Sequence, residues 1–500
     1  AWSHDLLPPP EQALFARLSV FAGGCSFEAA EAICSAAGGL EIDLLDGFES
    51  LVQKSLLRQE EDPAGDARFT MLQTIHEFAA EQLQEVPEAV ELRLAHGEWF
   101  LALAASADWG DPSRETEWLD RLETELPNMR LAIAFYQDQG ATGAAQTMLF
   151  AGDLAYFWWI RGHVAEGWRI VSRALEAPCA VEPVYRADAL WGAAVLAEAQ
   201  GDLEGAQTFH EESLALRRQI GDPEAVAKSL IGLGIIARLR GELKEARSLL
   251  EEALEGLKSE TDASEAASVL LQLGLIRFLE GDYEGAEPEL QASLDSFRRL
   301  RDDTGSANAL QIYGLLSMAT GDLLQAIERF EESLKLWRGL GNQQMIVSDL
   351  ANLGEAHHLN GTLDEAESLL REALALSETL GDLEVRGFAN SQLGLLSLDR
   401  GNTDRARELL IEGLRLRWQV GVRGAAADSL DALAEVTWRL GDVASAAELL
   451  DAANQLRAET GSARQPVYAK RYAGMMTAVG SHIPRTEASD VDTLIVNAIR

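Results

Sequence analysis

Two adjacent histidines, His357 and His358, and the acidic doublets Glu211-Glu212, Glu251-Glu252 and Glu331-Glu332 are the residues whose types could bind a metal or exchange protons. A metal needs ligands that converge on one point, whereas neighbours on a helix point about 100° apart. The two histidines therefore do not make a ligand pair. The doublets recur at multiples of forty residues, which puts them on equivalent faces of successive helices, the pattern of a solvated surface. Acid–base catalysis would need such carboxylates gathered in a cleft with displaced pKa values. The chain has no Gly-x-x-x-x-Gly-Lys-Ser/Thr phosphate loop, no His-Glu-x-x-His and no Gly-x-Ser-x-Gly. The expectation is a protein region without catalytic residues, metal or resident cofactor. The aromatic run Tyr156-Phe157-Trp158-Trp159 could stack a ligand, but four consecutive rings wrap most of a helix and read as a buried junction.

The chemistry that remains is recognition, and a repeat positions it. Gly201, Gly241, Gly281, Gly321, Gly361, Gly401 and Gly441 are each forty residues apart, with an alanine five residues after each, from Ala206 to Ala446. A fixed period of this length means a solenoid of helix–turn–helix units. Asp202, Asp282, Asp322, Thr362, Asn402 and Asp442 follow the glycines as N-caps of the second helix. Gly221-Asp222-Pro223 reads as helix stop, cap and first-turn proline between units, and Gly341-Asn342, Gly381-Asp382 and Gly461-Ser462 repeat part of it. Seven residues before each turn glycine the side chain is small: Ala194, Gly234, Gly274, Gly314, Gly354, Gly394 and Ala434. These positions let the two helices of a unit approach closely.

Composition narrows the partners. Of 500 residues 47% are hydrophobic, and 42 basic residues stand against 81 acidic ones, a formal charge of -39. Such a field repels phosphate backbones and acidic membranes, so neither nucleic acid nor a membrane is an expected partner. No stretch is long and apolar enough for a membrane span. Cys25, Cys34 and Cys179 form neither a paired framework nor a metal spacing, which favours a reducing, cytoplasmic compartment. The first residues have neither an initiator Met nor the features of a signal peptide, and the chain reads as a fragment whose missing part lies upstream.

Residues 1–90 predict three helices, from Glu11 to Phe21, from Ser26 through Ile33 and from Ile42 to Lys54, the last burying Leu44, Leu45, Phe48, Leu51 and Val52. Strand-like runs at 55–59 and 68–72 follow, separated by Asp62-Pro63-Ala64-Gly65-Asp66. This is a winged-helix plan. Its third helix carries Asp43, Asp46 and Glu49 against Lys54, the wrong sign for phosphate. The segments Glu11 to Gly24, Leu51 to Leu56 and Arg68 to Ala79 resemble the winged helix of bacterial signal-transduction ATPases with numerous domains (STAND proteins), including LuxR-type and related regulators. That resemblance implies an ATP/ADP-binding module upstream of this chain. Where eukaryotic cousins place a Met-His-Asp motif whose His meets the phosphates of ADP, this chain has Met71-Leu72-Gln73, and Leu72 cannot donate a hydrogen bond.

The forty-residue units resemble tetratricopeptide repeats, which implies a right-handed superhelix whose concave wall is lined by the first helix of each unit. On that register the candidate ligand positions are Trp191 in the first unit, then Lys228, Ile231, Ile235 and Arg238, then Leu271 and Phe278. Asn308, Gln311 and Met318 follow, then Glu355 and His358, and finally Asp431, Glu435 and Trp438. The early positions bring Lys228 and Arg238, the late ones Asp428, Asp431 and Glu435 around Trp438. The expected occupant is a protein or peptide, or a small effector.

The resulting plan is all-α. A winged helix with a small β-wing fills residues 1–90, and a helical linker with an atypical first repeat, opened by the degenerate turn at Gly162, fills 91–185. A tetratricopeptide solenoid of about seven to eight repeats follows over 186–462, and capping helices over 463–500. The expected function is the sensor region of a STAND-type regulator. The alternative is a stand-alone scaffold or adaptor.

Overall fold

The computed structural model describes every residue except 1–3, 5, 62–64, 85–87, 108, 110–113, 177–180, 258–262, 461–463, 480–494 and 496–500. Cys179, the turn at 461–462 and most of the helical stretch expected at 490–499 lie outside the described residues. The chain divides into two units, residues 1–269 and 270–500.

In the first unit α1 (Pro9–Leu18), α2 (Phe27–Ala36) and α3 (Leu44–Gln53) pack around Leu14, Phe15, Ile33, Phe48 and Leu51. Ser26 caps α2 by accepting from the Ala29 amide at 3.1 Å, and Asp43 caps α3. The wing is a three-stranded antiparallel sheet, in which β1 (Cys25–Ser26) and β2 (Arg58–Glu61) both pair with β3 (Ala67–Thr70). β1 was not legible in the sequence, since two residues carry no alternation. β2 starts three residues later than expected because Lys54 ends α3 and Ser55, at φ 57°, turns the chain. Leu45, expected to be buried, is 55% exposed on the outer side of α3.

The helix Gln73–Gln84 (α4) follows the wing, and the linker is helical, with α5 (Ala89–Ala105) and α6 (Glu115–Asp138). Trp118 and Met129 belong to the single helix α6, which runs through Pro127. The pair formed by α7 (Ala144–Asp153) with α8 (Ala155–Ile160) and α9 (Val164–Glu176) turns at Gly162. Phe157 and Trp158 are fully buried in it, so the aromatic run is a packed junction.

The repeats follow as antiparallel pairs. The first unit holds α10 (Pro183–Ala199) with α11 (Leu203–Ile220) and α12 (Pro223–Leu239) with α13 (Leu243–Gly256), and α14 (Ala263–Leu279) spans residue 269. The second unit continues with α15 (Tyr283–Leu300), α16 (Asp303–Thr320), α17 (Leu323–Leu340), α18 (Gln343–Asn360) and α19 (Leu363–Leu380). It ends with α20 (Leu383–Asp399), α21 (Thr403–Gln419), α22 (Arg423–Arg439), α23 (Val443–Thr460) and α24 (Pro466–Val479). All seven turn glycines have φ between 79° and 89°, the left-handed region that L-residues avoid. Asp202, Asp282, Asp322, Asn402 and Asp442 accept from the amide three residues on. Thr362 does not cap; its hydroxyl instead donates to His357 O at 3.0 Å and meets His357 Nδ1 at 2.8 Å.

Small residues set the spacing within each pair. A Cβ placed on Gly354 would lie 2.7 Å from Leu370 Cγ, and one on Gly394 2.7 Å from Leu410 Cγ. The residue sixteen after the small one is thus a large side chain seated on bare backbone. At the equivalent position of the first full repeat, where the small residue is Ala194, stands His210, which lies against Gly232 of α12, 1% exposed, with neither ring nitrogen partnered among the described residues, and burial pushes its pKa down to about 3. The doublet glutamates are exposed, as expected of an outer face. Ion pairs thirty-four residues apart, Arg218–Glu252, Arg298–Glu332 and Arg338–Glu372, run along the exposed surface and contribute at most about 1 kcal/mol each.

Gly354→Leu should overpack the α18–α19 pair and destabilise the fold by about 1–3 kcal/mol. Thermal melting followed by circular dichroism measures this, and an unchanged midpoint would show that the two helices do not rest on each other at this point.

Candidate functional site

The junction between the winged helix and the linker is polar and buried. Asn128, fully buried on α6, accepts from the Ala22 amide at 2.7 Å and donates to Gly24 O at 3.0 Å and Glu125 Oε2 at 2.7 Å. Arg68 on β3 pairs with Glu125 at 2.7 Å and donates to Gly23 O and Gly24 O. A loop, the wing and α6 are thereby tied by charge-assisted bonds, about twice as strong as neutral ones. His76 Nε2 meets Phe21 O at 2.8 Å. On α3 the side exposed to solvent carries Asp43, Asp46 and Glu49, while Lys54 is taken up by Glu11 at 2.5 Å. Leu72 is 43% exposed. Cys25 and Cys34 are buried, and burial pushes the Cys34 thiol up to about 12, out of the reactive range.

In the first unit, Trp191 lies half-buried with the Arg217 guanidinium 5.9 Å from its ring centroid. Lys228, read from the sequence as a free basic contact, pairs with Glu224 at 2.8 Å and Glu265 at 3.3 Å. Arg238 lies within electrostatic reach of Glu198, whose carboxyl burial raises to about 7 against the pull of that arginine. Ile231 and Ile235 are half-buried beside these compensated charges. The basic character expected of this stretch is neutralised from within.

In the second unit, Leu271 and Met318 are packed into the core, and Phe278, half-buried, meets Tyr283 with ring centroids 5.7 Å apart and the rings tilted by 39°. Asn308 is half-buried, and Gln311 donates to Asp349 Oδ1 at 2.6 Å. Trp438 is half-buried against the cluster of Ala446, Leu450 and Tyr472. Glu355, His358, Asp431 and Glu435 are brought together, and they are buried rather than open. What covers them is the segment 464–479, containing α24. Tyr468 OH donates to Glu355, and Gln392 Nε2 donates to the same carboxylate at 2.8 Å. Arg471 joins Glu435 at 2.7 Å and Asp399 at 2.8 Å, Arg464 is bidentate on Asp431 at 2.7 and 2.8 Å, and His358 Nε2 meets Asp399 at 2.8 Å. Burial works to raise Asp399, but His358 and Arg471 outweigh it and hold the carboxyl well below its ordinary range. Burial raises Glu355 and Tyr468, so their hydrogen bond sits in a poorly solvated place.

The sequence placed Glu355, His358, Asp431 and Glu435 on one face. It missed Gln392, Asp399, Arg464, Tyr468 and Arg471. The three-residue spacing of Tyr468 and Arg471 was a signal for one helical face, but not for where that face docks, and Arg464 lies before the helix. Among the described residues no three metal-ligating side chains cluster, and no helix is long and apolar enough to cross a membrane.

A family of winged helix-turn-helix domains matches residues 7–84, and a tetratricopeptide repeat family matches residues 185–259, 265–338 and 306–379. The chain is similar to a Mycobacterium tuberculosis protein named as an HTH-type transcriptional regulator, 31% identical over 236 residues that make up 46% of this chain and 26% of that protein. An uncharacterized Mycobacterium tuberculosis protein is 38% identical over 89 residues, 18% of this chain and 22% of that one. The chain thus spans about a quarter of the length of the curated relatives it matches. In fold it is similar to a STAND protein with a tetratricopeptide repeat sensor from Pyrococcus horikoshii, with a TM-score of 0.51 at 16% identity, covering 96% of this chain and 65% of that one.

Asp349, fully buried beside Gln311, has its carboxyl raised to about 7 by burial, against hydrogen bonds from Ser333 and Gln311. A folded-state pKa above the unfolded value of about 3.9 makes the folded form the better proton binder. The stability from this group is present at low pH and is lost as pH rises through about 7. Asp349→Asn should remove that part of the pH dependence, read from urea midpoints at pH 5, 6, 7 and 8. A variant that keeps the wild-type pH slope would assign it to other groups.

Proposed function

We propose that this chain, which joins a winged helix-turn-helix domain to tetratricopeptide repeats, is the signal-sensing region of a STAND-type regulatory protein. In this reading the repeats bind a protein, peptide or small-effector ligand and control a nucleotide-binding switch that lies outside residues 1–500. The observation that carries it is the face of Glu355, Asp399, Asp431 and Glu435, whose polar side chains all engage the polypeptide segment 464–479. The close approach of the two helices of each pair uses the small and aliphatic positions instead, so this polarity is available for recognition. ATP or ADP belongs to the switch, and this chain contributes no cofactor ligand.

The winged helix acts in this reading as a protein-facing module. Its acidic third helix opposes phosphate, and Arg68 and Asn128 fasten its wing to α6. A ligand controls a switch only through different affinities for its two states, a coupling typically on the order of 1–3 kcal/mol.

Reading the coding sequence upstream of Ala1 tests the proposal first. The expected result is an in-frame phosphate loop followed by an acidic magnesium-binding strand, and a start codon directly before Ala1 would favour a stand-alone scaffold or adaptor. In the intact protein, Asp431→Asn with Glu435→Gln should shift ADP affinity by about 5-fold or more. Unchanged nucleotide affinity would separate the repeats from the switch.

A further inference from the structure

We propose that the face of Glu355, Asp399, Asp431 and Glu435 is a docking site for a polypeptide that presents two arginines and a tyrosine in the spacing of Arg464, Tyr468 and Arg471, the last two on a helix and the first just before it. The segment 464–479 holds this site as an intramolecular occupant, which such a partner replaces. This rests on the sensor reading above and names the chemistry of its ligand.

Three observations point this way. The first is reach: a cap has only to cover the last pair, α22 and α23, and the apolar stripe Tyr472, Met475 and Val479 does so. Yet the same segment also bonds to Glu355 on α18 and to Asp399 on α20, and packs against α16. It therefore lies across the first helices of successive repeats, as a ligand of such a face would.

The second is complementarity. Two guanidinium groups meet three carboxylates, with a tyrosine on the fourth, in a chain of net charge -39. Bidentate pairs like those of Arg464 and Arg471 select geometry as well as charge. An acidic partner would be repelled here, and an apolar one would strand buried carboxylates.

The third is an incomplete fit. A cavity of about 70 Å³ remains between the segment and the repeats, with Gln392, Arg417, Tyr468 and Tyr472 among its walls. Gln392 Oε1 is buried there without a partner among the described residues. Arg417 donates to Ala425 O at 2.9 Å and to Ser429 Oγ at 3.1 Å, but among the described residues it has no ion pair at the place where its counterparts do: Arg217 pairs with Asp188 and Arg457 with Asp428, each twenty-nine residues earlier, and Arg417 meets Phe388 there. A partner that fills this space and satisfies these two groups binds better than the resident helix, which is the condition for replacing it.

The test uses the full chain and a fluorescein-labelled synthetic peptide of residues 464–479 as the probe, read by fluorescence anisotropy. A tethered helix competes at an effective concentration on the order of millimolar, so the wild-type chain should bind the probe weakly. Arg464→Glu with Arg471→Glu expels the resident segment, and this variant should bind the wild-type peptide at least about tenfold more tightly. Adding Asp431→Asn and Glu435→Gln should abolish the gain. A variant with wild-type helical content and no gain in affinity overturns the proposal. If the variant does not fold, hydrogen exchange on the wild-type chain decides: α24 amides should exchange through local opening, faster than those of α22, and equal protection of the two helices rejects a replaceable occupant. Loss of peptide binding with nucleotide coupling intact rejects this docking site alone. Peptide binding in a protein with no upstream phosphate loop keeps the site and rejects the switch.

Discussion

The structure depends on a steric constraint repeated every forty residues: the first helix of each pair must present glycine or alanine to a larger side chain of the second. Gly314 beneath Phe330, Gly354 beneath Leu370 and Gly394 beneath Leu410 are the same contact made three times. Glycine in mid-helix costs on the order of 1 kcal/mol relative to alanine, and the close approach it permits recovers that through burial of the facing side chain. Because the contact joins helices within a pair, it makes no demand on the outward side of each first helix. That side can change from Ile235 to Gln311 to Glu355 to Asp431 without disturbing the stack.

Local rules made the repeats legible. A left-handed residue at a helix end demands glycine, an N-cap demands a short acceptor, and a helix-to-helix seat demands a small side chain, so each leaves a fixed letter in the sequence. The exceptions are physical as well. Arg301 occupies a left-handed position, φ 57°, where equivalent turns have Gly221, Gly341, Gly381 and Gly421. Thr362 spends its hydroxyl on the preceding turn instead of the next helix. β1 was illegible because its two residues are held only by pairing with Phe69 and Arg68, forty-odd residues away in the chain. The covering of the late face was illegible for a similar reason, since Tyr468 meets Glu355 across 113 residues and no local preference encodes the meeting.

Charge behaves differently in the two places where the sequence drew attention to it. Lys228 and Arg238 are compensated by Glu224, Glu265 and Glu198 from their own or neighbouring helices, so little unbalanced field remains to attract a ligand there. Around Asp431 and Glu435 compensation comes from a separate segment instead. Removing that segment would return four carboxylates to one face, with His358, Arg417, Arg439 and Arg457 nearby to offset them in part. Buried carboxylates are costly without partners, so this face is stable only when a cationic polypeptide lies on it or when water replaces that polypeptide completely.

That condition has a consequence for regulation. A face stable in two discrete conditions, covered or fully solvated, has the bistability that a switch requires, whereas a hydrophobic groove would collapse or aggregate when emptied. The winged helix lacks this property, because Asn128, Glu125 and Arg68 satisfy one another completely enough that no second arrangement competes. Under the proposed function, rigidity in the winged helix and an exchangeable charge cluster in the late repeats divide the labour of a sensor. The rigid part can transmit a change of state, and only the charged face has a reason to undergo one.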